Sequence, residues 1–296
     1  KYIDLTNEEM PLVRRSAAFL YSKMAQSLYA LDADCIEKFG NQEDEFSKYF
    51  KNSNGHYMHK KLFPVLNRLL HDDQDMVRVI ALDGFTALID IFKDCMTQEG
   101  QEIILLPVVS TVSFDNSWKV RILCSQFLIK ILTTMDYKLF IKLAEERYLG
   151  YLSDSEIEVR VRATSKMSDF VETINSNDQS TFIIQHLVPL IEVLLNTNSS
   201  FVKIALASSI IFLSKYVTKT ELTTHLLNFY MALLRDPDSE ISLTIMSKMC
   251  ELGEESVCLK ELASSLYDSI SELYKDSVWR IRQDVVTLLP KVIKPI

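Results

Sequence analysis

The chain has 296 residues, 48% of them hydrophobic, which is enough apolar material for a substantial buried core and unlike a disordered chain. Six glycines and seven prolines are too few for a sandwich or barrel, and no two glycines lie closer than 15 positions. That spacing excludes glycine-rich phosphate loops and the nucleophile elbow, while a net charge of −8 argues against a generic nucleic-acid footprint. Five cysteines, at 35, 95, 124, 250 and 258, include no Cys-x-x-Cys and read as reduced thiols, neither a disulfide framework nor a zinc site. The longest fully apolar run, Ile103–Val109, is far short of the ~18 residues of a membrane span. No signal peptide is visible, and the opening Lys1-Tyr2-Ile3 suggests an excised or processed segment.

Along the chain, a β-branched residue followed by a base recurs: Val13-Arg14, Val77-Arg78, Val120-Arg121, Val159-Arg160, Val202-Lys203 and Ile281-Arg282, with Ile241-Ser242 filling the empty slot. The spacings are 64, 43, 39, 43, 39 and 40 residues, so all but the first are near forty. Five positions before each anchor stand Glu8, Asp72, Asp115, Asp154, Thr197, Asp236 and Asp276. Four positions after it stand Ala17, Ala81, Cys124, Ala163, Leu206, Ile245 and Val285. Pro64, Pro107 and Pro189 stand thirteen before it. Columns held in one frame mark internal repeats.

Each unit reads as two helices. In the fifth, Ile184, Leu187, Val188, Ile191, Leu194 and Leu195 lie on one helical face. The polar turn 196–200 offers Ser and Asn caps, and Val202, Leu206, Ile210 and Leu213 face inward from a second helix. One hairpin cannot bury such faces alone, so neighbours must stack. The predicted fold class is therefore all-α, an α-α superhelix resembling a HEAT-repeat solenoid. It is expected as a single array over residues 1–296, one partial repeat plus six full ones, with an insertion at about 41–61 behind the long first spacing. The first unit is expected to lack most of its first helix, and both ends to expose apolar surface. The −5 acids and +1 bases should meet between stacked repeats in a ladder of partly exposed pairs, each worth ~1 kcal/mol or less.

Some columns are more specific. Pro11-Leu12-Val13-Arg14-Arg15-Ser16-Ala17-Ala18, Ser117-Trp118-Lys119-Val120-Arg121, Val202-Lys203-Ile204-Ala205-Leu206-Ala207-Ser208 and Trp279-Arg280-Ile281-Arg282, with Leu289-Pro290 after it, follow in that order at repeat intervals. They resemble the scaffold (A, or PR65) subunit family of protein phosphatase 2A, across roughly the fifth to eleventh of that family's fifteen repeats. The resemblance implies a non-enzymatic scaffold, without cofactor or metal, whose turns hold two partners: a B-type regulatory subunit with a phosphatase catalytic subunit. It implies a cytoplasmic location, with the nucleus as a second, and no nucleic-acid or membrane partner. Carried over by position, it places Pro11, Arg14, Arg15, Trp118 and Lys119 in the regulatory-subunit contact zone, and Trp279 and Arg280 in the catalytic-subunit zone. Three departures stand out: Lys119 in place of the family's Arg, Ser242 in place of a base, and the extra stretch 41–61. The alternative is a HEAT-repeat transport receptor or an adaptor of another assembly.

Other features have plainer readings. Arg14 belongs to the ladder column, so Arg15 is the better contact candidate. His56-x-x-His59 has metal-pair spacing, but the adjoining Gly55 and Lys60-Lys61 favour a surface turn. Phe46, Tyr49 and Phe50 are expected on one face of a short helix ended by Asn54-Gly55, in a surface hairpin.

Overall fold

The computed structural model describes residues 1–31, 44–252 and 257–293. It divides into two compact units, Lys1–Tyr148 and Leu149–Ile296. Among the described residues there are helices and turns, with one isolated antiparallel bridge between Phe50 and Met96 and no strand. The fold class is all-α, the α-α superhelix of HEAT-repeat proteins.

In the first unit a helical turn, Tyr2–Leu5, precedes the helix Pro11–Tyr29. A hairpin follows, Ser53–Leu70 with Asp75–Thr86 and Ile89–Cys95, and then helix 98–113 with Trp118–Thr134. The helices Pro11–Tyr29, Asp75–Thr86 and Trp118–Thr134 pack side by side. In the second unit Ile157–Ser165, Ser200–Ser209, Ser239–Met249 and Trp279–Ile293 pack in the same succession. Helices 179–195 and 219–234 and Val257–Leu273 precede the last three of these.

Two sequence columns form the seam. Ala17, Ala81, Cys124, Ala163, Leu206, Ile245 and Val285 are all buried, small or aliphatic enough for adjacent helices to approach closely. The anchors Val77, Val120, Val159, Val202, Ile241 and Ile281 are buried beside them, while Val13 is half-buried. Burying one of the valine, leucine or isoleucine side chains contributes roughly 1.5–3 kcal/mol, while the alanines contribute mainly by letting the helices approach.

Three local features differ from the sequence reading. In helix 179–195 the buried face is Ile183, Leu187, Ile191 and Leu194, with Ile184 and Val188 only half-buried. A π-turn over Ile183–Leu187 advances the register just before Pro189. The same turn occurs at Gln101–Leu105 before Pro107. A third such turn, Leu222–Leu226, has no proline after it, and Pro64 sits inside the helix Ser53–Leu70 without one, so the wide turn follows the repeat register and not the proline. Second, the turn before Ser200–Ser209 has no side-chain cap from Ser199.

Third, Asn54-Gly55 starts a helix. Asn52 caps Ser53–Leu70, its side-chain oxygen accepting the Gly55 N–H at 2.7 Å. Residues 53–61, read from sequence as inserted, are the first half of this helix. The extra chain that the structure describes, 44–52, is a short 3-10 turn at Ser47–Tyr49 running into an extended Phe50. It is tied to the next hairpin junction by Lys51 N–H to Cys95 O at 2.7 Å and Thr97 N–H to Tyr49 O at 2.9 Å. Residues 41–43 of the expected insertion lie outside the described residues. Glycine is required at 55 because a Cβ there would lie 2.5 Å from Cys95 Cβ.

Candidate interaction edge

The turns between paired helices carry one construction, repeated. The −5 Asp accepts the backbone N–H two residues on: Asp72 from Gln74 at 2.9 Å, Asp115 from Ser117 at 2.7 Å, Asp236 from Asp238 at 3.0 Å, Asp276 from Val278 at 2.7 Å. This Asx-turn fixes the chain reversal. The +1 Arg then reaches back with Nη1 to the carbonyls of its own turn. Arg14 bonds Glu8 O and Glu9 O at 2.8 and 2.9 Å, Arg121 bonds Asp115 O and Asn116 O at 3.0 and 2.9 Å, and Arg282 bonds Asp276 O and Ser277 O at 2.6 and 3.0 Å.

The other edge of the guanidinium makes the rung. Arg14 Nε and Nη2 donate to Asp72 Oδ2 and Oδ1 at 2.5 and 2.9 Å. Arg78 does the same to Asp115, both at 2.8 Å. In the second unit Lys203 Nζ meets Asp236 Oδ2 at 2.9 Å. The rungs are less exposed than the sequence reading assumed: the Arg14 and Asp72 side chains are 15% and 6% exposed. Burial pushes the Asp72 carboxyl up, but Arg14 and the Gln74 N–H outweigh it and hold it below the usual carboxylate range. Where Ser242 replaces the base, its hydroxyl donates to Asp236 O at 3.3 Å, and Asp276 instead accepts the Ser239 hydroxyl.

The two tryptophans open the second helices Trp118–Thr134 and Trp279–Ile293, each followed by a cation over its own ring. Lys119 Nζ stands 5.9 Å from the Trp118 ring centre and the Arg280 guanidinium 5.7 Å from that of Trp279. Trp118 is 38% exposed and Trp279 60%. Lys119 is already engaged, pairing with Asp75 Oδ2 at 2.9 Å, and it holds that carboxyl low. Arg280 is exposed, with no hydrogen-bond or ion-pair partner among the described residues. Pro11 is exposed at the first position of its helix. Arg15 is exposed beside Phe19, Leu20 and Ile80. Arg14, by contrast, has Nε, Nη1 and Nη2 all committed to Asp72 and its own turn. Sequence reasoning had not found the turn clamps or the Asp75–Lys119 pair. The fixed −5 and +1 spacing was the available signal for the first, and nothing local signals the second.

His56 is not in a surface turn: it is buried within Ser53–Leu70, its Nε2 2.8 Å from Asp44 Oδ1. His59 packs among Phe46, Phe50 and Phe63, and burial pushes its imidazole down to about 4. Both rings serve packing of residues 44–50. Among the described residues, no group of three or more His, Cys, Asp or Glu side chains could hold a metal ion. Nor is any described helix long and apolar enough to cross a membrane.

Comparison with known proteins agrees with the repeat chemistry. A family profile described as PPP2R1A-like HEAT repeat matches residues 140–218. The chain is 33% identical over 102 residues to the beta isoform of the human serine/threonine-protein phosphatase 2A 65 kDa regulatory subunit, a match covering 34% of this chain and 17% of that protein. The mouse counterpart is 32% identical over 87 residues, 29% of this chain and 14% of its own length. The matched segments thus span less than a fifth of the length of these relatives. Among solved structures, one in which Kap95p binding induces the switch loops of RanGDP to adopt the GTP-bound conformation matches 100% of this chain and 35% of its own, with TM-score 0.68 at 13% identity. Importin beta matches 99% of this chain and 37% of its own, with TM-score 0.60 at 17% identity. What the chain shares with the two solved structures is the fold, and the profile and the partial identity agree on its unit: a solenoid of HEAT repeats.

Proposed function

We propose that residues 1–296 act as one continuous array, a partial repeat plus six whole ones, serving as a non-catalytic scaffold in a protein phosphatase 2A-type assembly in the cytoplasm and nucleus. The observation that carries this reading is the pair of exposed Trp–cation steps, 118–119 and 279–280, at the same register of two second helices. Trp and Arg are among the residue types that dominate binding hot spots, and Trp279 leaves 60% of its surface to solvent. The family profile over 140–218 and the partial identity to the 65 kDa beta isoform support the phosphatase assignment. A B-type regulatory subunit is assigned to Pro11, Arg15, Trp118 and Lys119, and the catalytic subunit to Trp279 and Arg280. Arg14 serves that zone indirectly, by fixing the turn.

The test is binding of the chain to two purified phosphatase 2A components, the catalytic subunit in one titration, a B-type regulatory subunit in the other. Trp279→Ala should weaken the catalytic subunit roughly 30-fold and spare the regulatory one, and Trp118→Ala the reverse. No affinity for either subunit would reject the assignment.

A transport-receptor reading is favoured by one observation, the match of the whole chain to a solved structure of Kap95p with RanGDP. Transport solenoids take many weak apolar segments, whereas this chain presents discrete aromatic–cation anchors on its turns. Binding of Ran with no binding of phosphatase subunits would favour this second reading.

A further inference from the structure

The ladder of the second unit contains an unfilled rung. Arg160 clamps its own turn as the other arginines do, with Nη1 2.5 Å from Asp154 O and 3.0 Å from Ser155 O. That clamp fixes the guanidinium plane. In Arg14 and Arg78 the remaining edge, Nε with Nη2, grips the next repeat's Asp in a two-pronged bond. The residue facing Arg160 in that column is Thr197, which has no carboxylate. Its hydroxyl instead accepts the Ser199 N–H at 3.5 Å, a weak version of the Asx-turn. Neither Nε nor Nη2 of Arg160 has a hydrogen-bond or ion-pair partner among the described residues.

The free edge is open to the outside. Arg160 and Thr197 line a cleft of about 680 Å³ together with Leu152, Asp154, Glu192 and Val193. The cleft wall is mixed: Ser153 and Asn196 line it beside Leu152, Leu194 and Val193, and Val193 is 68% exposed. Two acidic groups face the cleft. Asp154 is committed, its Oδ1 accepting the Glu156 N–H at 2.9 Å. Glu192 is exposed and forms no ion pair with Arg160.

We propose that Arg160 and the cleft beside Thr197 form a docking site for an acidic side chain, Asp or Glu, of a partner protein, carried in a segment with apolar neighbours. The partner carboxylate takes the place that Asp72 takes on Arg14, and its apolar neighbours cover the exposed Val193 of the cleft wall. A planar, pre-aimed guanidinium edge selects a carboxylate by shape as well as charge. The site rests on the repeat chemistry alone and stands apart from the Trp steps, so it can fail without affecting the phosphatase reading, and the reverse.

The experiment uses the full chain and a displayed library of random peptides, followed by fluorescence polarisation of individual synthetic peptides. Selected peptides should share one Asp or Glu flanked by apolar residues. Replacing that acid by Ala, or changing Arg160→Gln, should weaken binding about tenfold or more, the loss expected for a charge-assisted pair. Thr197→Asp should abolish the same binding while raising the urea midpoint, because the chain then fills its own rung. This second variant is expected to be more stable than the parent, so a folding failure of Arg160→Gln leaves the test intact. Glu192→Gln should tighten the peptides by removing a like charge. Three results overturn the proposal: selected peptides without a shared acid, binding unchanged by Thr197→Asp, or a preference for phosphoserine that excludes Asp and Glu. If Glu192→Gln lowers the urea midpoint as much as Arg160→Gln, the rung is closed internally and the proposal also fails.

Discussion

The two units are built from the same hairpins on the same two buried columns, yet they are stitched differently. In the first unit, Arg14 and Arg78 each grip a neighbouring Asp with two bonds and their own turn with two more. In the second, Lys203 makes a single bond to Asp236, Ser242 has no charge to offer Asp276, and Arg160 faces Thr197. The apolar seam is therefore what defines the repeat, because it is intact in both. The ladder is a separate device that sets how firmly one turn is fixed to the next, and it can be relaxed without losing the fold. Guanidinium is suited to both tasks at once, since its two edges point in different directions, while an ammonium serves only one.

The largest effect should come from emptying a closed rung. Asp72→Ala removes a mostly buried carboxylate and leaves the Nε and Nη2 edge of Arg14 without its partner, at a cost of about 2–3 kcal/mol in urea unfolding. Thr197→Ala, at the same register of the second unit, should stay within ~0.5 kcal/mol. Equal losses at the two positions would show that the ladder does not distinguish the units.

A second contrast is with pH. The Asp72 carboxyl is held below its usual value of 3.8 in the folded chain. Its stabilising contribution is therefore complete above the unfolded value and lost as pH falls through the folded one. Melting temperature should fall as the pH drops below about 4, and Asp72→Asn should flatten that part of the profile. An unchanged profile would mean that this rung is not coupled to folding.

Smaller changes convert one kind of rung into another. Arg78→Lys makes a first-unit rung resemble Lys203–Asp236, losing one carboxylate bond and the turn clamp, and should cost about 1 kcal/mol. Lys203→Arg is the reverse exchange and should gain a few tenths to about 1 kcal/mol, read as a higher urea midpoint. Smallest is Ser242→Arg, which supplies a base opposite Asp276. A gain of ~0.5 kcal/mol is expected, because Asp276 already accepts the Ser239 hydroxyl.

Much of this architecture is legible in the residues alone. The spacing of Val-Arg anchors, the small-residue column and the −5 acids point to the hairpin, the seam and the ladder, because each is a local pattern repeated at constant distance. The candidate contacts at Trp118 and Trp279 are legible for the same reason: their register puts them at helix starts. Three readings fail where two distant segments meet. Asn54-Gly55 looks like the end of a helix, whereas the glycine is there to let Cys95 pack against it. His56 looks like part of a surface turn, whereas Asp44 and Phe50 cover it. Arg14 is placed in the contact zone by the family resemblance, whereas both of its edges are used within the chain.

By itself the sequence determined the all-α class, the repeat unit, its frame, and which columns are buried, since helical periodicity and a period near forty are properties of the chain. Only the tertiary structure decided which charges are paired, which are capped by backbone and which are left over. Whether Arg160 differs from Arg14 is invisible at Arg160, since each follows a β-branched anchor with an acid five positions before it. The difference lies at Thr197, thirty-seven residues away in sequence and one repeat away in space. Stacking brings those two positions together, and a guanidinium has a free edge only if the residue stacked against it lacks a carboxylate.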